Sequence, residues 1–265
     1  MANTEPQNLG TAWAVQRRVI GALLMREVLT RYGRHNIGFL WLFVEPMMFT
    51  LGVTALWNVT SSFHGTTLPI TAFAVTGYST VLLWRNMPSR CVMAILPNLS
   101  LMYHRQVKVI DIYLARLLLE AAGATSSFVM LTIVFSFMGM MAPPEDVIEV
   151  IAAWLLLMWF GAALAILIGA LSEQYEIVDK LWHPLAYLSF PLSGAAFSLD
   201  SLPVAAQIPL SYVPMVNATE YLREGFFGSR YVAHYDIGYL VQVNLVLTVF
   251  ALSQVRKISR TVVPE

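Results

Sequence analysis

The sequence predicts an all-α integral membrane protein with six transmembrane helices. Of its 265 residues 57% are apolar and only 12% are charged, a balance outside that of water-soluble globular proteins of this size. Six apolar windows approach the roughly 20 helical residues that cross the hydrocarbon core of a bilayer, and one fewer or one more is the alternative count. The windows are Ile37–Trp57, Leu68–Trp84, Ile112–Met141, Val147–Leu171, Leu181–Phe197 and Ile237–Val255.

The cations lie almost entirely on one side of these windows. Only two of them, Arg223 and Arg230, fall in connections predicted to face outward. The others lie before the first window, between the second and third or at the edge of the third, between the fourth and fifth, or after the last. The positive-inside rule therefore places both termini in the cytoplasm, and an even number of spans agrees with this. The residues before the first window lack the apolar stretch of a cleaved signal peptide, so none is predicted.

Residues 1–36 form the predicted cytoplasmic N-terminal segment. From Thr11 to Arg34 apolar residues are interspersed with arginines, which predicts a helix capped by Thr11. Such a helix suits the inner headgroup level, where guanidinium groups meet anionic lipid. A helix packed against another protein is the alternative. At the other end of the chain, residues 256–265 form a short cytoplasmic tail.

The cytoplasmic connection Arg85–Asp111 is too long for a simple turn and too apolar for a free loop. Pro88 and Ser89 predict the start of a helix, and Pro97 predicts its end or a kink. The result is about two turns of amphipathic helix parallel to the membrane, whose apolar face suits a groove on a partner. A helix packed on the protein's own spans is the alternative.

The outward connection Ser198–Asp236 is long and rich in apolar and aromatic residues, which argues against a disordered loop. Proline suits a first helical turn, so one short helix is predicted from Pro203. Asn217 and Glu220 have capping-box spacing and predict a second helix, with Gly228 as its stop. We expect both helices to dip into the outer leaflet or to lie on it, with a pair of interfacial anchors as the alternative.

The motifs of several enzyme classes are missing from the sequence. None of the lysines follows a glycine, so the chain has no GxxxxGK[ST] phosphate-binding loop. It also has no HExxH pair, no GxSxG turn and no paired-carboxylate motif. The single cysteine, Cys91, excludes an internal disulfide, and no basic domain suggests a nucleic-acid partner. An enzyme is not predicted, and no metal or cofactor site is assigned to the chain.

Glu45 and Pro46 lie inside the first window. A carboxylate at this depth has to face protein or a hydrated canal, and the proline frees a backbone carbonyl and permits a kink. Glu45 is either neutral or hydrogen-bonded to a neighbouring helix, or it is a polar contact for a substrate. Arg116 and Glu120 lie four residues apart near the inner end of the third window, and we expect them to pair with each other.

Aromatic residues are frequent in the first, second and fifth windows. Their rings can stack on the apolar faces of sugars, while tyrosine and tryptophan also supply hydrogen bonds. The alternative is that they form interfacial belts or face lipid and core. In the fourth window Gly161, Ala165 and Gly169 repeat every four residues, which favours close helix packing, within one subunit or between two.

Three stretches together resemble the permease subunit of bacterial capsular-polysaccharide ABC exporters, in the type-2 ABC transporter permease family. They are "RYGRHNIGFLWLFVEPMMF", "PSRCVMAILPNLSLMYHRQVKVIDIYLARLLLE" and "VPMVNATEYLREGFFG". The likeness runs in this order from about Arg31 to Asp236. The combination of the three stretches is specific, although each alone would be weak.

The resemblance implies a homodimer in the bacterial inner membrane, with six helices per subunit in residues 37–255. It further implies a separate ABC ATPase subunit that holds ATP and Mg, a periplasmic adaptor and an outer-membrane polysaccharide export protein. The substrate would be a polysaccharide, usually on a lipid-linked terminus, that moves through a canal between the subunits. Exporters of O-antigen, teichoic acid or glycolipid share this architecture, and an ion-coupled transporter or channel is the alternative of another class.

Carried over by position, the resemblance assigns three sets of residues. The substrate canal takes Phe39, Phe43, Glu45, Trp57, Tyr78, Tyr187, Phe190 and Phe197. The coupling helix, about 89–101, takes Ser89, Arg90, Met93, Leu96, Asn98 and Leu101, with Arg105 beyond it. The periplasmic gate, within 198–236, takes Asn217, Glu220, Tyr221, Arg223, Phe226 and Phe227. Closure of the ATPase dimer would push on the coupling helix and open or squeeze the canal.

Overall fold

The computed structural model describes residues 9–33, 36–60, 68–103 and 107–262, and in these ranges the chain is helical without a β-strand. Its helices are α1 (Leu9–Tyr32), α2 (Asn36–Thr60), α3 (Ile70–Cys91), α4 (Leu99–Met102), α5 (Val109–Phe137), α6 (Val147–Gln174), α7 (Glu176–Leu188), α8 (Val204–Ser211), α9 (Pro214–Phe227) and α10 (Ile237–Val262). Short 3₁₀ turns lie at Leu96–Asn98, Leu199–Ser201 and Gly228–Arg230.

Three of the described helices are long and apolar enough to cross a membrane: α5, α6 and α10. They coincide with the third, fourth and sixth apolar windows. Local capping sets where two of them begin. Asp111 accepts a hydrogen bond from the backbone N–H of Lys108 at 2.9 Å and closes the first turn of α5. Asp146 accepts from two backbone N–H groups in the first turn of α6, at 2.8 and 3.0 Å.

The second window and the segment after it form one helix. α3 runs past Trp84 to Cys91 and contains Pro88, so the prediction of a new helix beginning at Pro88 or Ser89 is wrong. Most of α3 is buried, and this packing keeps it helical through a proline that would otherwise favour a break. The chain then turns at Met93, whose φ is +48°.

Pro97 starts a helical segment instead of ending one. It lies in the first turn of the 3₁₀ helix Leu96–Asn98, which leads directly into α4. A proline is tolerated there because the first turn leaves its amide groups unpaired in any case. The predicted coupling helix is therefore divided among the end of α3, a turn and a short helical segment, 96–102.

The fifth window is helical over only part of its length. α7 begins earlier than predicted, at Glu176, and ends at Leu188 after 13 residues. At about 1.5 Å per residue this is roughly 20 Å, less than the hydrocarbon thickness of a bilayer. From Ser189 the chain forms turns, with Gly194 at φ +77°. The predicted window Leu181–Phe197, which Pro184 and Pro191 interrupt, is therefore helical only as far as Leu188.

The helix α6 lies at the centre of the bundle and packs against α3, α9 and α10. Its predicted small-residue face lies against α3 in the same subunit. A Cβ atom on Gly161 would come within 3.0 Å of the Trp84 Cα atom, and one on Gly169 within 2.8 Å of the Cys91 carbonyl oxygen. On the opposite side, Asn244 of α10 donates a hydrogen bond to the Leu156 carbonyl at 3.0 Å. Close contact between helix backbones and hydrogen bonds between helices together stabilise the bundle.

We expect Gly169→Val to destabilise the protein by about 1–3 kcal/mol, because the larger side chain has no room against α3. The measurement is the midpoint of thermal unfolding of the purified protein in detergent. Gly21→Val on α1 is the control, since no atom lies within 4 Å of a Cβ atom built there. Equal midpoints for the two variants would contradict the close contact between α3 and α6.

Candidate functional site

Five aromatic rings from three parts of the chain lie together, and we call them the aromatic row. Tyr78 of α3 is at the centre, with ring centroids 5.2 Å from Trp57, 5.3 Å from Phe190 and 5.8 Å from Phe49. Phe73 extends the row from Trp57 at 6.5 Å. These are the separations of edge-to-face and tilted aromatic pairs. The row runs along the contact between α2, α3 and the turn after α7.

The structure brings together three of the aromatic residues assigned to the canal, namely Trp57, Tyr78 and Phe190. Phe49 and Phe73 join them although neither was assigned, because ring contacts between helices depend on how the helices pack. Tyr187 is 70% exposed, and its ring lies 5.4 Å from the guanidinium carbon of Arg85.

Three further canal assignments are Phe39, Phe43 and Phe197. Phe43 is half-buried on α2, and the side chain of Phe39 lies outside the described part of the structure. The backbone carbonyl of Phe197 accepts a hydrogen bond from Arg223 at 2.7 Å.

Glu45 is paired with cations of two neighbouring helices. Its carboxylate oxygens lie 3.3 Å from Nη2 of Arg31 on α1 and 3.5 Å from Nη2 of Arg90 on α3. The sequence left more than one role open for Glu45. These distances support the role in which Glu45 is hydrogen-bonded to a neighbouring helix. Pro46 does not end the helix, because α2 is helical on both sides of it.

Glu45 belongs to a larger group of charges, which we call the inner ion cluster. Arg90 Nε lies 3.3 Å from Glu120, and Arg31 also contacts that carboxylate. Arg116 Nε lies 3.4 Å from Glu27 of α1, and its Nη1 donates to the Arg90 carbonyl at 2.6 Å. Arg116 and Glu120 therefore do not pair with each other as predicted, since α1 and α3 supply their partners. The members of the cluster are Glu27, Arg31, Glu45, Arg90, Arg116 and Glu120.

The segment after α3 is fixed to the C-terminal end of α6. The backbone N–H of Met93 donates to Ser172 Oγ at 3.0 Å, and that of Ile95 donates to Glu173 at 2.7 Å. Asn98 accepts a hydrogen bond from Arg26 and so joins the segment to α1. None of Ser172, Glu173 and Arg26 was assigned from sequence, because each is far from this segment along the chain.

The other residues assigned to the coupling helix differ in how far their side chains are exposed. Ser89 accepts a hydrogen bond from Trp182 Nε1 at 3.0 Å, and Leu101 is half-buried. Leu96, by contrast, is 60% exposed and Tyr103 is 77% exposed, which leaves an apolar surface uncovered in the described structure. Arg105 lies outside the described residues.

The residues assigned to the periplasmic gate are buried and hold the outward connection in place. Asn217 lies inside α9, which begins at Pro214, so its predicted role as a helix cap is wrong. Its Oδ1 atom instead accepts a hydrogen bond from the Asp236 N–H at 2.9 Å. Gly228 does end the helix, with φ +56°. Tyr221, Phe226 and Phe227 pack as buried aromatic residues of the same helix.

Glu220 satisfies three donors of the connection. Its carboxylate accepts hydrogen bonds from the Leu199 N–H at 3.1 Å, the His234 N–H at 3.2 Å and the Tyr231 hydroxyl at 2.6 Å. Burial raises the pKa of Tyr231, which keeps this hydroxyl protonated as a donor. A buried carboxylate is stable when its oxygens are hydrogen-bonded in this way.

Whereas Glu220 accepts hydrogen bonds, Arg223 donates them to backbone carbonyls. The side chain is fully buried, and it donates to the carbonyls of Gly194, Ala195 and Phe197 at 2.7–2.8 Å. Its guanidinium carbon lies 3.6 Å from the centre of the Phe73 ring, at the end of the aromatic row. Arg223 thereby fixes the non-helical backbone that carries Phe190 and Phe197.

Comparison with known proteins identifies the family. The profile of the ABC-2 type transporter family matches residues 18–227. The chain is 44% identical over 252 residues to the capsule polysaccharide export inner-membrane protein CtrC of Neisseria meningitidis serogroup B, with 95% of each chain covered. It is 41% identical over 252 residues to the capsule polysaccharide export inner-membrane protein BexB of Haemophilus influenzae, again with 95% of each chain covered. The polysialic acid transport protein KpsM of Escherichia coli is 23% identical, with 93% of this chain and 95% of KpsM covered.

The chain therefore belongs to the ABC-2 type transporter family of membrane proteins. This confirms the resemblance found in the sequence motifs. In this family nucleotide binding lies on a separate ATPase subunit. Among the described residues, no group of three His, Cys, Asp or Glu side chains could hold a metal ion. The relatives and the three apolar helices also make it a multi-pass inner-membrane protein.

We expect Glu220→Gln to lower the free energy of unfolding by about 1–3 kcal/mol, because the amide nitrogen cannot accept and one buried donor loses its partner. Thermal unfolding in detergent measures the change. Glu176→Gln is the matched control, since the side chain of Glu176 is 89% exposed. If Glu220→Gln unfolds at the same temperature as the control, the carboxylate does not hold the connection.

Proposed function

We propose that this chain is the permease subunit of an ATP-driven exporter that moves capsular polysaccharide across the inner membrane. The observation that carries the proposal is the end-to-end similarity to two proteins named for this task, at 44% and 41% identity over 95% of each chain. The aligned region includes the aromatic row, the inner ion cluster and the outward connection. A polysaccharide on a lipid-linked terminus is the form of substrate that we propose.

The assembly proposed for this function is a homodimer with six spans per subunit and both termini in the cytoplasm. A separate ATPase subunit would hold ATP and Mg, and a periplasmic adaptor and an outer-membrane export protein would continue the path. The distribution of lysine and arginine supports this orientation. The family supports the separate ATPase.

The aromatic row is the part of the chain that we propose lines the path of a sugar polymer, with Phe49, Trp57 and Phe190 as its accessible rings and with Tyr78 and Phe73 buried behind them. A moving polymer needs many weak contacts, and aromatic faces offer them without strong ion pairs. Two charged residues nearby have other partners: Glu45 is paired with arginines, and Arg223 donates to backbone carbonyls. The row itself consists of aromatic side chains and contains no charged one.

The segment 92–103 is the proposed contact with the ATPase. It exposes Leu96, Leu99 and Tyr103, an apolar surface of the kind a partner groove covers. It follows α3 directly, so a push on this surface acts on the helix that carries Tyr78. The hydrogen bonds to Ser172 and Glu173 transmit the same push to α6.

The first test is export by the whole assembly. In a strain that lacks this gene, we expect capsule to disappear from the cell surface and the wild-type gene to restore it. We expect Tyr78→Ala to lower the amount of surface polysaccharide by about tenfold, which corresponds to the ~1.4 kcal/mol that aromatic contacts can supply. Phe137→Ala is the control, because Phe137 is exposed and lies outside the row.

The Tyr78→Ala variant has to reach the membrane in normal amount and to co-purify normally with the ATPase. Only then does a drop in surface polysaccharide report a loss of transport. Full surface capsule in the gene-deleted strain would remove the proposed function. Normal export by Tyr78→Ala would remove the aromatic row from the transport path and leave the function standing.

The second test concerns the contact with the ATPase. We expect the double variant Leu96→Asp, Leu99→Asp to lose at least about tenfold in the amount of co-purified ATPase, because charges would be buried in an apolar interface. Val204→Asp on α8 is the control, since Val204 is also exposed but lies in the outward connection. Unchanged co-purification of the double variant would place the contact elsewhere.

A further inference from the structure

The last apolar helix, α10, has the most exposed surface of the three helices that are long and apolar enough to cross a membrane. Of its most apolar 18 residues only 17% are buried, against 44% for α5 and 39% for α6. Its buried side packs against α6 and includes Asn244, Ala251 and Ile258, which lie two helical turns apart in succession. The described chain leaves the opposite side of α10 uncovered.

The exposed side of α10 changes from apolar to cationic along the helix. Its apolar part consists of three side chains that are 56%, 67% and 59% exposed: Val246, Val249 and Phe250. Its cationic part consists of three exposed side chains: Arg256, Lys257 and Arg260. Arg256 lies seven residues, or two helical turns, after Val249, and Arg260 follows one turn later. Lys257 has the same separation from Phe250. The apolar part and the cations therefore form one continuous face.

The cations of this face have no acidic partner among the described residues. They border a surface cavity of about 340 Å³, whose remaining lining residue is Ser253. The Ser253 hydroxyl donates to the Phe250 carbonyl at 2.7 Å, so the cations supply the donors of the cavity. No described carboxylate lies within 4.0 Å of the three cations, whereas each arginine of the inner ion cluster has one. Three uncompensated cations favour an anion, and guanidinium groups match the oxygens of a phosphate.

The combination of the two parts on one face favours a lipid. A phospholipid can place its phosphate at the level of the cations and its acyl chains along the apolar part. A soluble anion would contact the cations alone and leave the apolar part uncovered. A second copy of this chain is unsuited, because two copies inserted in the same direction would meet at this face with cation against cation.

We propose that the C-terminal end of α10 binds an anionic phospholipid of the bilayer. Arg256, Lys257 and Arg260 surround its phosphate, and the apolar part of the same face contacts its acyl chains. The site shares no residue with the aromatic row or with the segment 92–103, so it is independent of the proposed function. Because α10 packs against α6, a lipid that binds the folded protein also stabilises the bundle.

The test titrates the full-length permease, purified in a neutral detergent, with dioleoylphosphatidylglycerol. Native mass spectrometry gives the dissociation constant, and the rise in unfolding temperature checks it. We expect the double variant Arg256→Gln, Lys257→Gln to raise the dissociation constant at least about tenfold, because two charge-assisted contacts are lost. The matched control is Lys180→Gln, Arg230→Gln, which removes two exposed cations from other parts of the chain and changes the net charge equally.

Arg256→Lys, Lys257→Arg is the conservative variant. It keeps both charges, and we expect its dissociation constant to stay within about threefold of the wild-type value. All of these side chains are exposed, so the substitutions leave the buried side of α10 unchanged. Wild-type affinity in the double glutamine variant would overturn the proposal. A loss as large in the matched control would overturn it too, because the effect would then be one of net charge alone.

Two further probes test whether the ligand is a lipid and whether its charge matters. Dioleoylphosphatidylcholine has the same acyl chains without the net charge, and we expect it to bind at least about tenfold more weakly. Glycerol 3-phosphate keeps the phosphate without the chains, and we expect no competition at about a hundredfold excess. Affinity for either probe equal to that for dioleoylphosphatidylglycerol would overturn the proposal. Loss of co-purified ATPase from the double glutamine variant, with its lipid affinity unchanged, would assign the cations to a protein contact instead.

Discussion

Mutual neutralisation of three arginines and three glutamates in the inner ion cluster joins four helices of the bundle. A charge that is shielded from water needs a partner, and Arg31, Arg116 and Glu120 are the most shielded members, with 17%, 16% and 9% of the side chain exposed. The partners come from different helices: α1 supplies Arg31 and Glu27, and α5 supplies Glu120 and Arg116. Through Glu45 and Arg90 the same cluster includes α2 and α3. Ion pairs thus attach α1 to α2 and α5.

Around the outward connection, buried charged side chains pair with backbone groups instead of with each other. The turn after α7 and the chain before α10 leave amides and carbonyls without helical partners, and buried groups of this kind need hydrogen bonds. Arg223 donates to three of the carbonyls, and Glu220 accepts from two of the amides. One helix, α9, therefore fixes the irregular backbone on both sides of it. The position of Phe190 in the aromatic row depends on this, because the same turn carries it.

Local patterns in the sequence predicted the long apolar helices well and the interrupted ones poorly. The windows of α5, α6 and α10 need no information beyond hydropathy and length, and their helices have nearly the predicted bounds. Proline misled the prediction twice: α3 continues through Pro88, and Pro97 starts a helical segment. Burial of α3 against α6 outweighs the local cost of Pro88, and hydropathy cannot show which face will be buried. The aromatic row was partly predicted, since Trp57, Tyr78 and Phe190 were assigned while Phe49 and Phe73 were not.

By itself the sequence determined the class of protein: its apolar windows, its asymmetric arginines and its three motif stretches specify a membrane permease, and the sequence contains no GxxxxGK[ST] phosphate-binding loop. These properties depend on composition and on neighbouring residues, which a linear pattern contains. Only the tertiary structure decided the partners of the charged and aromatic side chains. Glu120 lies four residues from Arg116 yet pairs with Arg31, 89 residues away along the chain. Such pairs follow from which helix faces meet, and packing of the whole bundle fixes those faces.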